Sequence, residues 1–286
     1  MVSTESLGQL PATHVQTPAA TESLPAFFAR SVLPGLVGTA LIGAGAVGVG
    51  WMPVQGSLPA PPVIDVLQST TFGVIAAACS LIVGVVILLL AWLQLGNDIT
   101  RSGTSEVRRL WFTLGIWSLP LLITPPLFSR DVYSYVAQGK LMAAGINPYV
   151  SGPSVMPGWV NDGVDPLWAD ATSPYGQVFL LFGRLFSDIA GPSAFSMALM
   201  FRVLAIVGVV ILAWAVPVLA TAYGVNPARA LWLGVLNPLV VMHFISGAHN
   251  DALMIGLIAA GFALVVRKHP HSGVPPIPLG AAVEPL

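Results

Sequence analysis

Five stretches of this chain are apolar over lengths that suit a membrane helix: about Ser31 to Trp51, Phe72 to Leu95, Leu110 to Phe128, Val203 to Tyr223 and Leu231 to Ser246. A hydrocarbon core ~30 Å thick needs about 20 apolar residues at ~1.5 Å of rise each. A sixth stretch, Ala252 to Val266, has only 15 residues and crosses if its helix begins near Gly247, inside the interface. Gly and Pro within these runs are frequent in membrane helices and do not count against them. With 55% hydrophobic and 8% charged residues, the chain is far from the roughly 25% charge of a soluble domain. The expected fold class is an all-α polytopic membrane protein with about six transmembrane helices.

The net charge of −1 supplies no field for nucleic acid, so the bilayer is the expected partner. Cys79 is the single cysteine and can form no internal disulfide. Residues 1–29 are rich in Ser, Thr, Pro and Ala, with no basic cluster to start a secretory signal. They read as a disordered cytoplasmic tail. Residues 269–286, rich in Pro and Gly, read as a second tail, leaving a transmembrane domain over 30–268 that includes an outer loop, 129–202.

Basic residues orient the spans. Arg30 precedes the first, and Arg101, Arg108 and Arg109 lie between the second and third, so both places are expected inside. The segment Gln177 to Ile189 is apolar enough to pass for a span, yet Arg184 and Asp188 at i, i+4 suit a wet helix face. Read as a helix that does not cross, it also puts Arg229, Arg267 and Lys268 inside. The remaining basic residues, Arg130, Lys140, Arg184 and Arg202, then gather outside around one long loop. An anionic ligand such as a lipid phosphate gives them a reason to be there. The plainer reading is that long outer loops follow the charge rule weakly.

That loop opens with Ser129-Arg130-Asp131-Val132-Tyr133-Ser134-Tyr135, charges and tyrosines set directly after an apolar run. Charges at membrane depth are costly and point to function, although Asp131 also suits a helix start. Asp131 to Ala144 reads as a short interfacial helix. Asp131, Tyr135 and Gln138 lie on one face, Val132, Val136 and Ala143 on the other, and Gly145 ends it. Tyr149 and Tyr175 are explained by an ordinary aromatic belt. Asp162, Asp165 and Asp170 match no calcium loop and read as solvated acids. The cluster Gly247-Ala248-His249-Asn250-Asp251-Ala252 sits at the mouth of a tight hairpin on the same outer side, where its three polar residues either line a site or cap the next helix.

Taken together, Ser129 to Tyr135, Gln138-Gly139, Asn147-Pro148-Tyr149 and Gly247 to Met254 resemble the polyprenol-phosphomannose-dependent α-1,6-mannosyltransferases of actinobacteria. The resemblance implies a GT-C fold. It also implies mannose transfer from a polyprenyl phosphomannose donor to a mannan glycolipid acceptor, the α-1,6-mannan core of lipomannan and lipoarabinomannan, at the outer face of the plasma membrane. Members of the family are longer, so the chain corresponds to their N-terminal half, and a second polypeptide is an expected partner to complete the fold. On this reading Asp131 is the base. Arg130, Lys140 and Arg202 meet the phosphate, and Tyr133, Tyr135, His249, Asn250 and Asp251 hold substrate. A β-linked donor and an α-linked product imply inversion by a single displacement. No P-loop, Rossmann glycine pattern, H-E-x-x-H or C-x-x-C occurs, and neither a cofactor nor a metal is expected. The competing classes are a transporter or flippase of a polyprenyl-linked sugar and a non-catalytic partner subunit.

Overall fold

A computed structural model describes residues 23–53, 62–102, 106–267 and 276–284, and every regular element in them is helical. Helix α1, Leu24–Val49, and helix α3, Thr71–Ser102, lie side by side, with the small exposed helix α2, Pro62–Ser69, between them in sequence. Pro34 cannot donate to the carbonyl four residues before it, and the turns just upstream, Phe28–Val32, widen to a π-helix. The Trp117 indole meets the Val32 carbonyl there, donating to it at 2.9 Å.

Among the described residues three helices are long and apolar enough to cross a membrane: Leu24–Val49, Thr71–Ile99 and Ala194–Ala222 (α7). Their outward surfaces are greasy, with Phe72, Ile82, Leu90 and Val203 all exposed, as helices facing lipid require. Of the other three expected spans, two are broken and the third is a single short helix. Leu110 to Phe128 is helical only through α4, Val107–Ser118, and a 3-10 turn at Leu119–Leu121, because Pro120, Pro125 and Pro126 break the backbone ladder. Leu231 to Ser246 falls on two helices, α8 (Pro227–Gly234) and α9 (Pro238–Ser246), bent by 48°. Asn237 makes the bend by accepting from the Leu239 N–H. The last, α10, runs from Asp251 to Val266.

At one end α5, Asp131–Ala143, packs across α6, Gln177–Ala190. The expected helix is present, and Gly145 closes it at φ 75°. Its setting is different. It does not lie on the surface, because residues Val132 to Gly139 are all buried. Helix α6 is too short to span and carries its apolar stripe inward, with Phe179 against Tyr135 and Phe201.

Both expected tails need correction where they are described. Leu24 to Ala29 is already helical, while residues 1–22 lie outside the described residues. From Pro276 to Val283 the chain forms a helix, α11, against α10 and α6. Prolines at its start cost nothing, since first-turn N–H groups have no partner in a helix anyway. Val283 is fully buried and its carbonyl accepts from the Gly176 N–H.

The α5–α6 crossing depends on two glycines. A Cβ at Gly139 would overlap the Gly183 backbone. Gly139→Val is expected to cost about 1–3 kcal/mol, read as a lowered Tm in detergent, whereas Ala143→Val on the exposed end of the same helix is expected to be nearly neutral.

Candidate functional site

A cavity of about 300 Å³ opens between α5, the loop before α6, the turn before α10 and the end of α11. That is the lower end of the range for small-ligand sites. Asp131, Tyr135, His249, Asn250 and Asp251 all line it, so five of the nine residues expected at a site converge.

Asp131 reaches the cavity because α5 begins with it, and the Ser129 hydroxyl accepts from its N–H at 3.0 Å. Phe128, just upstream, holds φ 65° without being glycine. Ala248, beside His249, does the same at φ 56°. Such left-handed backbone in residues with a Cβ is strained and gathers at functional sites. His249 Nδ1 lies 3.7 Å from Asp131 Oδ2 and 3.9 Å from Asp251 Oδ2. The ring is mostly buried, and its Nε2 has no partner among the described residues.

Asn250 does not cap α10 with its side chain. It bridges instead: Tyr135 Oη donates to Asn250 Oδ1 at 3.0 Å, and Asn250 Nδ2 donates to Glu284 Oε2 at 2.9 Å. Burial pushes the Tyr135 hydroxyl well above the usual phenol range, with Tyr175 and Asp131 adding to the effect. It therefore stays protonated and serves as a donor. Burial likewise raises Glu284 above its ordinary 4.5, followed by Asp251, while the Asn250 hydrogen bond works the other way.

The other four expected residues lie outside the cavity. Arg130 donates through Nε to Gly163 O at 2.9 Å and through Nη2 to Val164 O at 3.0 Å, and lies over the Trp51 ring. Tyr133 Oη donates to the Trp51 carbonyl. Lys140 pairs with Asp162 Oδ1 at 2.7 Å. Arg202 is buried, donating to Leu122 O and Ser246 O, each at 2.9 Å. The loop acids are not all solvated either: Asp162 is buried against Lys140, while Asp165 is partly exposed and accepts from the Leu167 N–H.

Sequence reading passed over Ser134, Trp168, Tyr175 and Glu284, which also line the cavity. Ser134 had a signal, because it sits three residues after Asp131 on the same helix face. Glu284 had none, its segment having read as a tail. Among the described residues no three His, Cys, Asp or Glu side chains are grouped to hold a metal ion.

A helical membrane protein with a carboxyl-rich polar cavity at one end of its helices is the class that this fold and site define. Comparison with known proteins narrows it. Residues 32–286 match the model of the alpha-(1->6)-mannopyranosyltransferase N-terminal domain, and the chain belongs to that family. It is 36% identical over 254 residues to alpha-(1->6)-mannopyranosyltransferase A of Mycobacterium tuberculosis, covering 87% of this chain and 48% of the relative. A second alpha-(1->6)-mannopyranosyltransferase of that organism is 37% identical, covering 88% and 43%. Alpha-(1->6)-mannopyranosyltransferase B of Corynebacterium glutamicum is 35% identical, covering 84% and 41%. The chain thus spans about half the length of the curated relatives it matches. No solved structure matches it.

The raised carboxyl of Glu284 predicts a pH effect. A carboxyl that titrates higher in the folded state contributes stability fully present below its unfolded value of 4.5, lost as pH rises through the folded value. Glu284→Gln keeps an acceptor for Asn250 and removes the titration. Its stability relative to the unmodified protein is expected to improve as pH is raised from about 4 to about 7, measured by denaturation in detergent.

Proposed function

We propose that this chain is the N-terminal half of a GT-C-type glycosyltransferase of about six spans in the plasma membrane. It moves mannose from a polyprenyl phosphomannose to an α-1,6-mannan acceptor at the outer face. The observation that carries this reading is the juxtaposition of Asp131 with His249-Asn250-Asp251 around one cavity, in a chain of this family. Their segments are tied by the bond between Tyr135 and Asn250, 115 residues apart. The orientation is supported by the basic residues at the opposite end: Arg30 pairs with Asp98, Arg109 lies over Phe27, and Arg267 shares a cleft with Val107.

In the reaction the acceptor hydroxyl oxygen attacks the anomeric carbon from the face opposite the phosphate. The bond from that carbon to the phosphate oxygen breaks, and the polyprenyl phosphate leaves with the electron pair. Asp131, a third exposed at the cavity wall, takes the hydroxyl proton as general base. His249 faces its carboxyl at 3.7 Å. Inversion in one displacement leaves no covalent intermediate. Of the three cations expected at the phosphate, Arg130 adjoins Asp131 in the chain and is partly exposed; Gly163 O, Val164 O and Asp165 hold its guanidinium, and the N–H groups these leave over can meet a phosphate at the rim. Lys140 donates to Asp162 and Pro192 O, and the buried Arg202 donates through Nη1 and Nη2 to Leu122 O and Ser246 O, so both act as supports.

A transporter of the same lipid-linked sugar is the second reading, favoured by the broken α8–α9 pair, since transporters use broken helices. The polar groups gather in the cavity and not at that break, where Asn237 serves as a cap. Asp131→Asn is expected to lower mannose transfer by about 10²–10⁴-fold and leave donor binding intact, assayed with radiolabelled polyprenyl phosphomannose and an α-1,6-mannose disaccharide. Parallel loss of binding and transfer would favour the transporter.

A further inference from the structure

Two buried polar atoms of cavity-lining residues lack a protein partner among the described residues. Ser134 and Gln138 are 4% and 3% exposed, yet Ser134 Oγ and Gln138 Oε1 accept and donate nothing among the described residues. Both residues line the cavity, one turn apart on α5. Burying such groups unpaired is costly, and an explanation is required for each. Trp168 also lines the cavity and is about half exposed. A free aromatic face beside hydrogen-bonding side chains suits a ring with one apolar face and a hydroxylated edge.

Charge narrows the ligand further. Asp131, Asp251 and Glu284 all line the cavity, and among the described residues lining it there is no Lys or Arg. A phosphate placed inside would face three carboxyl groups across a few ångströms with reduced screening. A hydroxyl, by contrast, donates to a carboxylate readily.

We infer that this cavity is a subsite for an uncharged hexopyranosyl group, with Gln138 Oε1 and Ser134 Oγ reading its hydroxyls and Trp168 covering its apolar face, and that it excludes the donor phosphate. The inference rests on the transferase reading and names the part of the substrate that enters. The phosphate is met outside this cavity, which accords with where Arg130 points. The sugar is either the acceptor's terminal residue or the donor's own mannose, since the two present the same hydroxyls.

The test is calorimetric titration of the full chain in nanodiscs with α-1,6-mannobiose, methyl α-mannoside and mannose 1-phosphate. Mannobiose is expected to bind, and the phosphate probe to bind more weakly than the methyl glycoside. Gln138→Leu and Trp168→Ala are each expected to weaken mannobiose by about tenfold, as one lost hydrogen bond or ring contact would. Trp168 is exposed enough that its loss leaves the core intact, and thermal unfolding controls for Gln138→Leu. A phosphate probe binding tighter than the methyl glycoside, no mannobiose binding, or both variants binding like the parent would overturn the inference. The source follows from competition with a short-chain polyprenyl phosphomannose: displacement by mannobiose assigns the cavity to the donor sugar, and simultaneous binding assigns it to the acceptor. Variant-sensitive sugar binding without any transfer keeps this inference and removes the transferase reading. Transfer with unchanged KM for both donor and acceptor in both variants does the reverse.

Discussion

Arg202 holds the two stretches of backbone on which the site depends. A carbonyl at membrane depth must find a donor inside the protein, and carbonyls are released wherever a helix breaks. Two breaks flank the cavity, one after α4 and one between α9 and α10. The buried guanidinium on α7 donates to Leu122 O in the first and to Ser246 O in the second. With those carbonyls satisfied, the chain can leave helical geometry at both places and bring Asp131 and His249 together. Arginine suits this task because its planar fork offers several donors in fixed directions. The same rule explains the indole of Trp117 on the π-helix and the reciprocal bonds between Trp92 and Trp232, whose rings stack at 4.6 Å.

The site is preorganised by strain on one side and by hydrogen bonding on the other. Phe128 and Ala248 keep left-handed backbone just ahead of the two functional segments, and surrounding contacts must hold them there. Opposing them, the chain from Tyr135 through Asn250 to Glu284 links α5, the start of α10 and the end of α11. Three separate parts of the sequence are fixed by two bonds. Among the described residues, Ser134 Oγ, Gln138 Oε1 and His249 Nε2 are buried without partners, and all three belong to residues that line the cavity.

Much of this was legible in local pattern. The i, i+4, i+7 spacing placed Asp131, Tyr135 and Gln138 on one face of a helix, and all three line the cavity. Gly145 was readable as the helix end because only a residue tolerant of positive φ fits there. The amphipathic character of Gln177 to Ile189 kept it from being counted as a span. The settings of the cations were not legible, because sequence shows a charge but not its nearest oxygen. Arg130, Lys140 and Arg202 each found carbonyls or Asp162 within the fold. Glu284 was invisible, since a Pro-rich end has no period and its helix is stabilised by packing on α10 and α6.

The sequence by itself determined that this chain is a helical membrane protein and which short polar motifs interrupt its apolar runs, because apolar length and helical periodicity are local properties. Only the tertiary structure decided which of those residues share a cavity and which act as struts. That depends on where each donor finds its acceptor, and the partners of Asn250 and Arg202 lie 34 to 115 residues away along the chain.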